Sequence, residues 1–199
     1  MLQTQSVSPQ LLELLRFVML QPAFLRYHLV GGTSLALQIG HRISVDLDMF
    51  GEEMPDEALF TDTLAEFGAV QVIQKTPNIL ICTVNGMKID FVNYRYKLLR
   101  PYHVEEGIRL ASTADIAAMK LNAIAGRGSK KDFIDLYFLL RQYSIDTMME
   151  YFQTKYPQGS EFMVRKSLTY FDDADKEADP ILLENKSWAE IKSEVLKGM

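Results

Sequence analysis

The sequence predicts an α+β protein: a mixed strand and helix region over residues 1–111, followed by an all-helical region over residues 112–199. Three observations carry that expectation. Strand-like segments recur between Tyr27 and Asn93. Asn85-Gly86 is the strongest two-residue hairpin signal in the chain, because both positions suit a left-handed backbone. Near Leu110–Thr113 strand-like spacing gives way to helical spacing, with no flexible linker between, so the two halves are expected to pack together.

The elements follow in order. Ser8-Pro9 opens a helix, with serine as cap and proline at the first helical position, and Leu11, Leu12, Leu15 and Val18 or Met19 form its apolar face. Tyr27–Val30 is a short strand running into Gly31-Gly32. Thr33–Ile39 is a helix stopped by Gly40. In the strand Val45–Phe50, Asp46 and Asp48 point to one side, while Val45, Leu47 and Met49 are expected to face the core. Asp56–Phe67 is helical and closed by Gly68. Val70–Lys75, Ile79–Val84 and Met87–Asn93 are strands, the first two turned by Pro77-Asn78. On the third, Lys88, Asp90 and Val92 share a side. A short hairpin surrounds Glu105-Glu106-Gly107. The second half reads as helices over Ala114–Ala125, Lys130–Gln142 with Ser129 as cap, Ser144–Lys155 and Glu161–Tyr170. A last helix is opened by the Ser187-Trp188-Ala189-Glu190 capping box. The acidic stretch 172–180 reads as an exposed connector.

Composition narrows the function classes. Hydrophobic residues make up 48% and charged residues 24%, which is a globular balance. No apolar run approaches the ~20 residues of a membrane span, and Met1–Gln10 carries no basic residue or signal pattern, so a cytoplasmic location is expected. Cys82 is the only cysteine, which excludes an internal disulfide and a cysteine-based zinc site. A net charge of −5 denies the chain a broad basic footprint for nucleic acid, but leaves room for a local pocket that takes a nucleotide or a nucleic-acid end.

The candidate chemistry lies in carboxylates and a glycine turn. Asp46 and Asp48 repel each other unless a cation sits between them, and phosphate transfer uses divalent metals in that position. Alternating acids also suit a solvated strand face. Asp90, on a strand that can pair beside theirs, would complete a three-carboxylate groove suited to two metal ions. Gly31-Gly32 between strand and helix lets a phosphate approach free N–H groups, with Thr33 and Ser34 adding hydroxyls, although a tight turn needs the same glycines. It is neither a Walker loop nor a dinucleotide fingerprint. Lys120, Arg127, Lys130 and Lys131 are the only dense basic cluster. Lys120 and Arg127, seven apart, share a helical face that either holds phosphates or is simply solvated. Asp132 can orient either cation by a charge-assisted hydrogen bond, or act as a favourable first-turn acid; Asp135 shares its face. His28, His41 and His103 show no metal-ligand spacing and read as structural. Ser44 has no evident histidine partner for a hydrolase triad.

Gly31-Gly32-Thr33-Ser34-Leu35-Ala36-Leu37 followed by Gly40-His41-Arg42-x-Ser44-x-Asp46-x-Asp48 resembles the opening signature of the AbiEii/AbiGii toxin family of nucleotidyltransferases. Lys120 through Arg127, followed by Lys131-Asp132-Phe133-Ile134-Asp135-Leu136, is similar to that family's second block. The likeness covers roughly residues 25–142, and two motifs in the right order make it specific.

The resemblance implies a polymerase-beta-like nucleotidyltransferase core with a small mixed sheet, and a helical C-terminal region packed on it. It implies Mg²⁺ or Mn²⁺ held by Asp46, Asp48 and Asp90. Gly31, Gly32, Thr33, Ser34 and Ser44, with Lys120 and Arg127, would bind a nucleoside triphosphate. Asp132 would support or join the catalytic group formed by Asp46, Asp48, Asp90 and Lys120. It also implies a toxin component of a bacterial toxin–antitoxin or phage-defence system, with tRNA or another RNA as acceptor and an antitoxin protein as partner. The competing readings are a kinase-like phosphotransferase that uses the γ-phosphate, and an inactive module that binds nucleotide or antitoxin.

Overall fold

The computed structural model describes residues 1–199. The chain divides into two compact units. The first comprises Met1–Gly40, Ser44–Lys97 and Tyr102–Ala111; the second comprises His41–Ile43, Leu98–Pro101 and Ser112–Met199. Two short segments thus leave the first half of the sequence to join the second unit, which a single cut in the sequence does not anticipate.

The first unit is built on a seven-stranded sheet. Its strands are β1 (Tyr27–Val30), β2 (Asp46–Gly51), β3 (Val70–Thr76), β4 (Ile79–Val84), β5 (Met87–Asn93), β6 (His103–Glu105) and β7 (Ile108–Leu110), in spatial order β3-β4-β5-β2-β1-β7-β6. The β4–β5 hairpin turns at Asn85-Gly86, where φ is +50° and +82°, as a turn matching the strand twist requires. β5 then lies parallel to β2, and β2 antiparallel to β1. The sheet is therefore mixed, and two strands distant in sequence become neighbours.

One sheet face carries Leu47, Met49, Leu80, Cys82, Val84, Ile89 and Phe91, all buried. They join a core with α1 (Pro9–Leu20) and α3 (Glu57–Ala65). In α1 the buried positions are Leu11, Leu14, Leu15, Val18 and Met19, a 3.6-residue stripe. Leu14 takes the place predicted for Leu12, which is only partly buried. Phe91 sits among Phe24, Tyr27 and Phe60, with ring centroids 4.9–5.4 Å away. The Arg109 guanidinium donates to the carbonyls of Tyr27, Met19 and Phe24, satisfying chain turns that leave α1 and enter β1. Val45 corrects the sequence reading: it precedes the strand and is 65% exposed, so the inward row starts at Leu47.

The second unit contains α4 (Thr113–Gly126), α5 (Lys130–Leu139), α6 (Ile145–Lys155), α7 (Glu161–Ser167) and α8 (Trp188–Lys197). Ser112, Ser144, Ser160 and Ser187 each accept a backbone N–H at a helix start, and Ser187 with Glu190 completes the capping box. Ser129 does not cap α5 as predicted; its hydroxyl is given to the Asp132 carboxylate. The buried Asp115 accepts from Lys155 at 2.8 Å and from the Leu99 and Arg100 N–H groups, fixing the 98–101 segment to α4. The 41–43 segment is held by backbone bonds between Ile43 N–H and the Ile181 carbonyl, and between Leu183 N–H and the His41 carbonyl.

Candidate active site

In the first unit, the sheet face opposite the core carries a row of charge. The parallel pairing of β2 and β5 sets Asp48 directly beside Asp90, and Asp46 beside Lys88. Neighbouring strands lie about 4.8 Å apart, so alternation puts all four side chains on one face. Lys88 Nζ donates to Asp90 Oδ2 at 2.6 Å. Burial alone would lower the Lys88 pKa. The hydrogen bond to Asp90 and the charges of Asp90, Asp46 and Asp48 outweigh it and raise the ammonium above its ordinary value. One cation therefore feels all three carboxylates. Asp90 Oδ1 is buried without a hydrogen-bond partner, a costly state for a carboxylate oxygen. No group of three or more His, Cys, Asp or Glu side chains is gathered into a metal-ligand cluster anywhere in the chain. Lys88 lies among the acids in their place.

The glycine turn closes on the same row. Val30 pairs with Asp48, and the next residue, Gly31, begins α2 (Gly31–Ile39) with φ +66°. A Cβ at Gly31 would lie 2.5 Å from Asp48 Oδ2, so only glycine lets the backbone approach this carboxylate. The helix start carries N–H groups without intrahelical partners. The predicted hydroxyl donors are placed differently from the sequence expectation. Thr33 is buried, donates to the Asp46 carbonyl, and lies 2.8 Å from Ser44 Oγ. Ser34 is buried and receives Gln38 Nε2 at 3.1 Å. Residues 32–37 are all buried, more than a full helical turn, so α2 is enclosed on every side and Thr33 and Ser34 are buried with it. Thr33 ties α2 to the start of β2 and Ser34 bonds within α2, so neither hydroxyl lines an open cradle.

The second unit carries a separate buried network. Lys120 Nζ donates to Asp132 at 3.0 Å and to Asp135 at 2.6 Å. Asp132 also receives Arg127 Nε at 2.8 Å and Ser129 Oγ at 2.6 Å. Asp135 receives Arg42 through Nε at 2.7 Å and Nη2 at 3.0 Å, and lies 2.6 Å from His41 Nε2. Burial opposes the charged form of both acids, but the adjacent cations win and hold both carboxyls well below the usual range. Burial lowers the His41 pKa despite Asp135, leaving a neutral ring whose Nε2–H donates to that carboxylate; Nδ1 is buried without a partner. Lys120, expected at a triphosphate, is 5% exposed. Arg127 differs: its side chain is 61% exposed although it holds Asp132.

The geometry thus brings together Asp46, Asp48, Asp90 and the Gly31 turn in one unit, and Lys120, Arg127 and Asp132 in the other. Sequence reasoning missed Lys88, although its two-residue spacing from Asp90 on a strand was a usable signal. It also missed Arg42 and His41 as partners of Asp135, a contact with no local signature.

Comparison with known proteins bears on the family and the fold. The model of the family described as "Nucleotidyl transferase AbiEii toxin, Type IV TA system" matches residues 14–198. An uncharacterized protein of Aquifex aeolicus (strain VF5) is 38% identical over 157 residues, covering 76% of each chain. Among solved structures, JHP933 from Helicobacter pylori superposes with a TM-score of 0.61 at 19% identity, covering 97% of this chain and 91% of that one. MenT4, a nucleotidyltransferase toxin from Mycobacterium tuberculosis H37Rv, gives 0.62 at 15% identity, covering 95% and 80%. Those identities speak for the α+β fold alone. The family match spans nearly the whole chain, and on it the chain belongs to the AbiEii nucleotidyltransferase toxin family.

Proposed function

We propose that the chain transfers a nucleotidyl group from a nucleoside triphosphate to a hydroxyl acceptor on RNA, as the toxin half of a toxin–antitoxin pair. The observation that carries this reading is the register of Asp48 against Asp90, with the Gly31 backbone pressed on the Asp48 carboxylate. Three hard oxygen donors on one face, one with a buried oxygen lacking a partner, fit Mg²⁺ or Mn²⁺ in donor chemistry. Asp46, Asp48 and Asp90 would hold the metal. Bound there, it would neutralise triphosphate charge and favour attack by the acceptor oxygen.

The chain's own groups do the remaining work. The free N–H groups at the start of α2, at Gly31 and Gly32, receive phosphate oxygens. In the second unit the exposed Arg127 guanidinium is held in place by Asp132. Lys120 gives two of its three N–H groups to Asp132 and Asp135 and so keeps that buried network together. Thr33 and Ser44 keep the turn and the acid strand in register, while Ser34 bonds Gln38 within α2. Lys88 balances the carboxylates, and its ammonium would have to leave Asp90 for that acid to serve as a metal ligand.

The test is incubation of the protein with total RNA, Mg²⁺, and NTP labelled at either the α- or the γ-phosphate. Label retained on RNA from the α-position alone supports the reading. Retention from the γ-position alone makes the protein a kinase-like phosphotransferase. NTP binding with no transfer from either makes it a binding module.

A further inference from the structure

Next to the acid row the same sheet face turns aromatic. Along β2 the residue following Asp46 and Asp48 on that face is Phe50, and its partner on β1 is His28. Phe50 packs on Tyr94 at 4.7 Å between centroids, and Tyr94 on Tyr96 at 5.3 Å. From the other side Tyr102 stacks on His28 at 5.5 Å with planes 15° apart. The ladder carries on past Asn93, since Tyr94 N–H bonds to the Gly51 carbonyl. Tyr94 therefore extends the Lys88–Asp90–Val92 row, and Tyr96, in the bend after it, is placed beside it by ring packing. The result is two stacks, Phe50–Tyr94–Tyr96 and His28–Tyr102, set side by side by the β1–β2 register and starting one strand step, about 7 Å, beyond Asp48. Its outer members are open to solvent: Tyr96 is 49% and Tyr102 42% exposed.

The segment alternates ring and cation, Tyr94-Arg95-Tyr96-Lys97, and both cations are exposed. Rings offer flat surfaces to bases of any sequence, and interleaved cations meet the phosphates between those bases. An isolated exposed tyrosine needs no explanation, but a connected shelf with its own cations, leading to carboxylates, has the makeup of a strand-binding platform. The net charge of −5 gives no general attraction for polyanions, so binding must come from this local combination.

We propose that this shelf, with Tyr96 and Tyr102 as its exposed faces and Arg95 and Lys97 as its phosphate contacts, docks the single-stranded end of the acceptor RNA. The inference rests on the nucleotidyl-transfer reading, for which it names the acceptor's binding surface. Unpaired bases stack on the rings, and the terminal hydroxyl lies toward the acid row. Duplex RNA is excluded because its bases are already stacked and paired.

The probe is a fluorescein-labelled single-stranded oligoribonucleotide of ~12 nucleotides, followed by anisotropy at low salt without NTP or divalent metal. Wild type should bind it more tightly than the same length of duplex. The double variant Tyr96→Ala/Tyr102→Ala should lose about ten- to a hundredfold in affinity, whereas Tyr96→Phe/Tyr102→Phe, which keeps both rings, should bind nearly as wild type. Both positions are exposed, so circular dichroism and Tm should be unchanged. Absent binding by wild type, equal binding of duplex, or undiminished binding by the alanine variant overturns the proposal. A matching loss of ATP affinity in the alanine variant also overturns it, by assigning the shelf to the donor base. No NTP is present in the RNA-binding measurement, which keeps the two readings separable. A protein that binds RNA as described but retains no α-label loses the catalytic reading alone, and one that retains α-label without shelf-dependent binding loses this one.

Discussion

Asp90 and Asp135 are both carboxylates tied to lysine, yet they sit in opposite electrostatic settings. On the first unit's sheet, Lys88 feels the charges of Asp46, Asp48 and Asp90, and one Asp90 oxygen is buried without a partner. In the second unit, Asp132 and Asp135 are surrounded by Lys120, Arg42, Arg127, Ser129 and His41. In the first set the Asp90 Oδ1 atom is left without a donor, and that open oxygen is what the proposed cation would take up. The second is saturated by its own side chains, and its main work is to hold its helices and the exposed Arg127 in place. Acidic residues at a site therefore signal chemistry by what remains unsatisfied, not by their number.

Substitutions should separate the two sets. Asp48→Ala is expected to lower nucleotidyl transfer on the order of 10³-fold while changing stability by no more than about 1 kcal/mol. Steady-state rates with α-labelled NTP, beside a thermal melt, check both halves. Asp135→Ala should do the reverse in its primary effect. It leaves Arg42 and Lys120 as buried cations without their carboxylate, at about 3–5 kcal/mol, and Tm should fall on the order of 10 °C. Equal Tm values for the two variants would erase the distinction.

Gly31→Ala is the next smaller effect. It forces a side chain into a left-handed backbone and against Asp48 Oδ2, at about 1–3 kcal/mol. Transfer should fall more than folding does, by roughly a hundredfold, because Asp48 must move aside. A variant with lower Tm but unchanged rate would show that the turn is structural only.

The smallest effect is a pH dependence belonging to the second unit. His41 has a folded pKa below its ordinary value of 6.5, so the unfolded chain binds the proton first on acidification. Stability from this group is complete above pH 6.5 and declines as pH falls from there toward the folded pKa, by at most about 1.4 kcal/mol per pH unit. Asp132 and Asp135 act only at lower pH: the stability they add is full above the ordinary carboxyl value of 3.8 and falls as the unfolded carboxyls protonate there while the folded ones stay ionised. Urea melts of wild type and His41→Gln between pH 7.5 and 5.5 should differ in slope, with wild type the more sensitive. Parallel slopes would remove His41 as the cause.

Much of this was legible in the sequence where local chemistry decides. Asn85-Gly86 specifies its hairpin through the left-handed backbone it needs, and Gly40 stops α2 for the same reason. Ser8-Pro9 and the Ser187–Glu190 box set helix starts. The acidic row followed from alternation, and its third member from an expected strand pairing. What could not be read was set by distant contacts. The burial of α2 on all sides took Thr33 and Ser34 out of reach, and the pairing of Arg42 with Asp135 joins residues 93 apart. Nothing within either local segment encodes those choices. The Tyr94–Lys97 alternation was visible, but becomes a shelf only when Phe50 and His28 are brought beside it by β1 and β2.

The sheet carboxylates, and not the buried network, are proposed to take an external divalent cation. Calorimetric titration of Mn²⁺ into the full chain distinguishes the two, comparing wild type, Asp48→Asn/Asp90→Asn and Asp132→Asn, each shown to be folded. Wild type and Asp132→Asn should bind, and the double variant should bind at least tenfold more weakly. Undiminished Mn²⁺ binding by the double variant, or loss of binding in Asp132→Asn alone, would overturn the assignment.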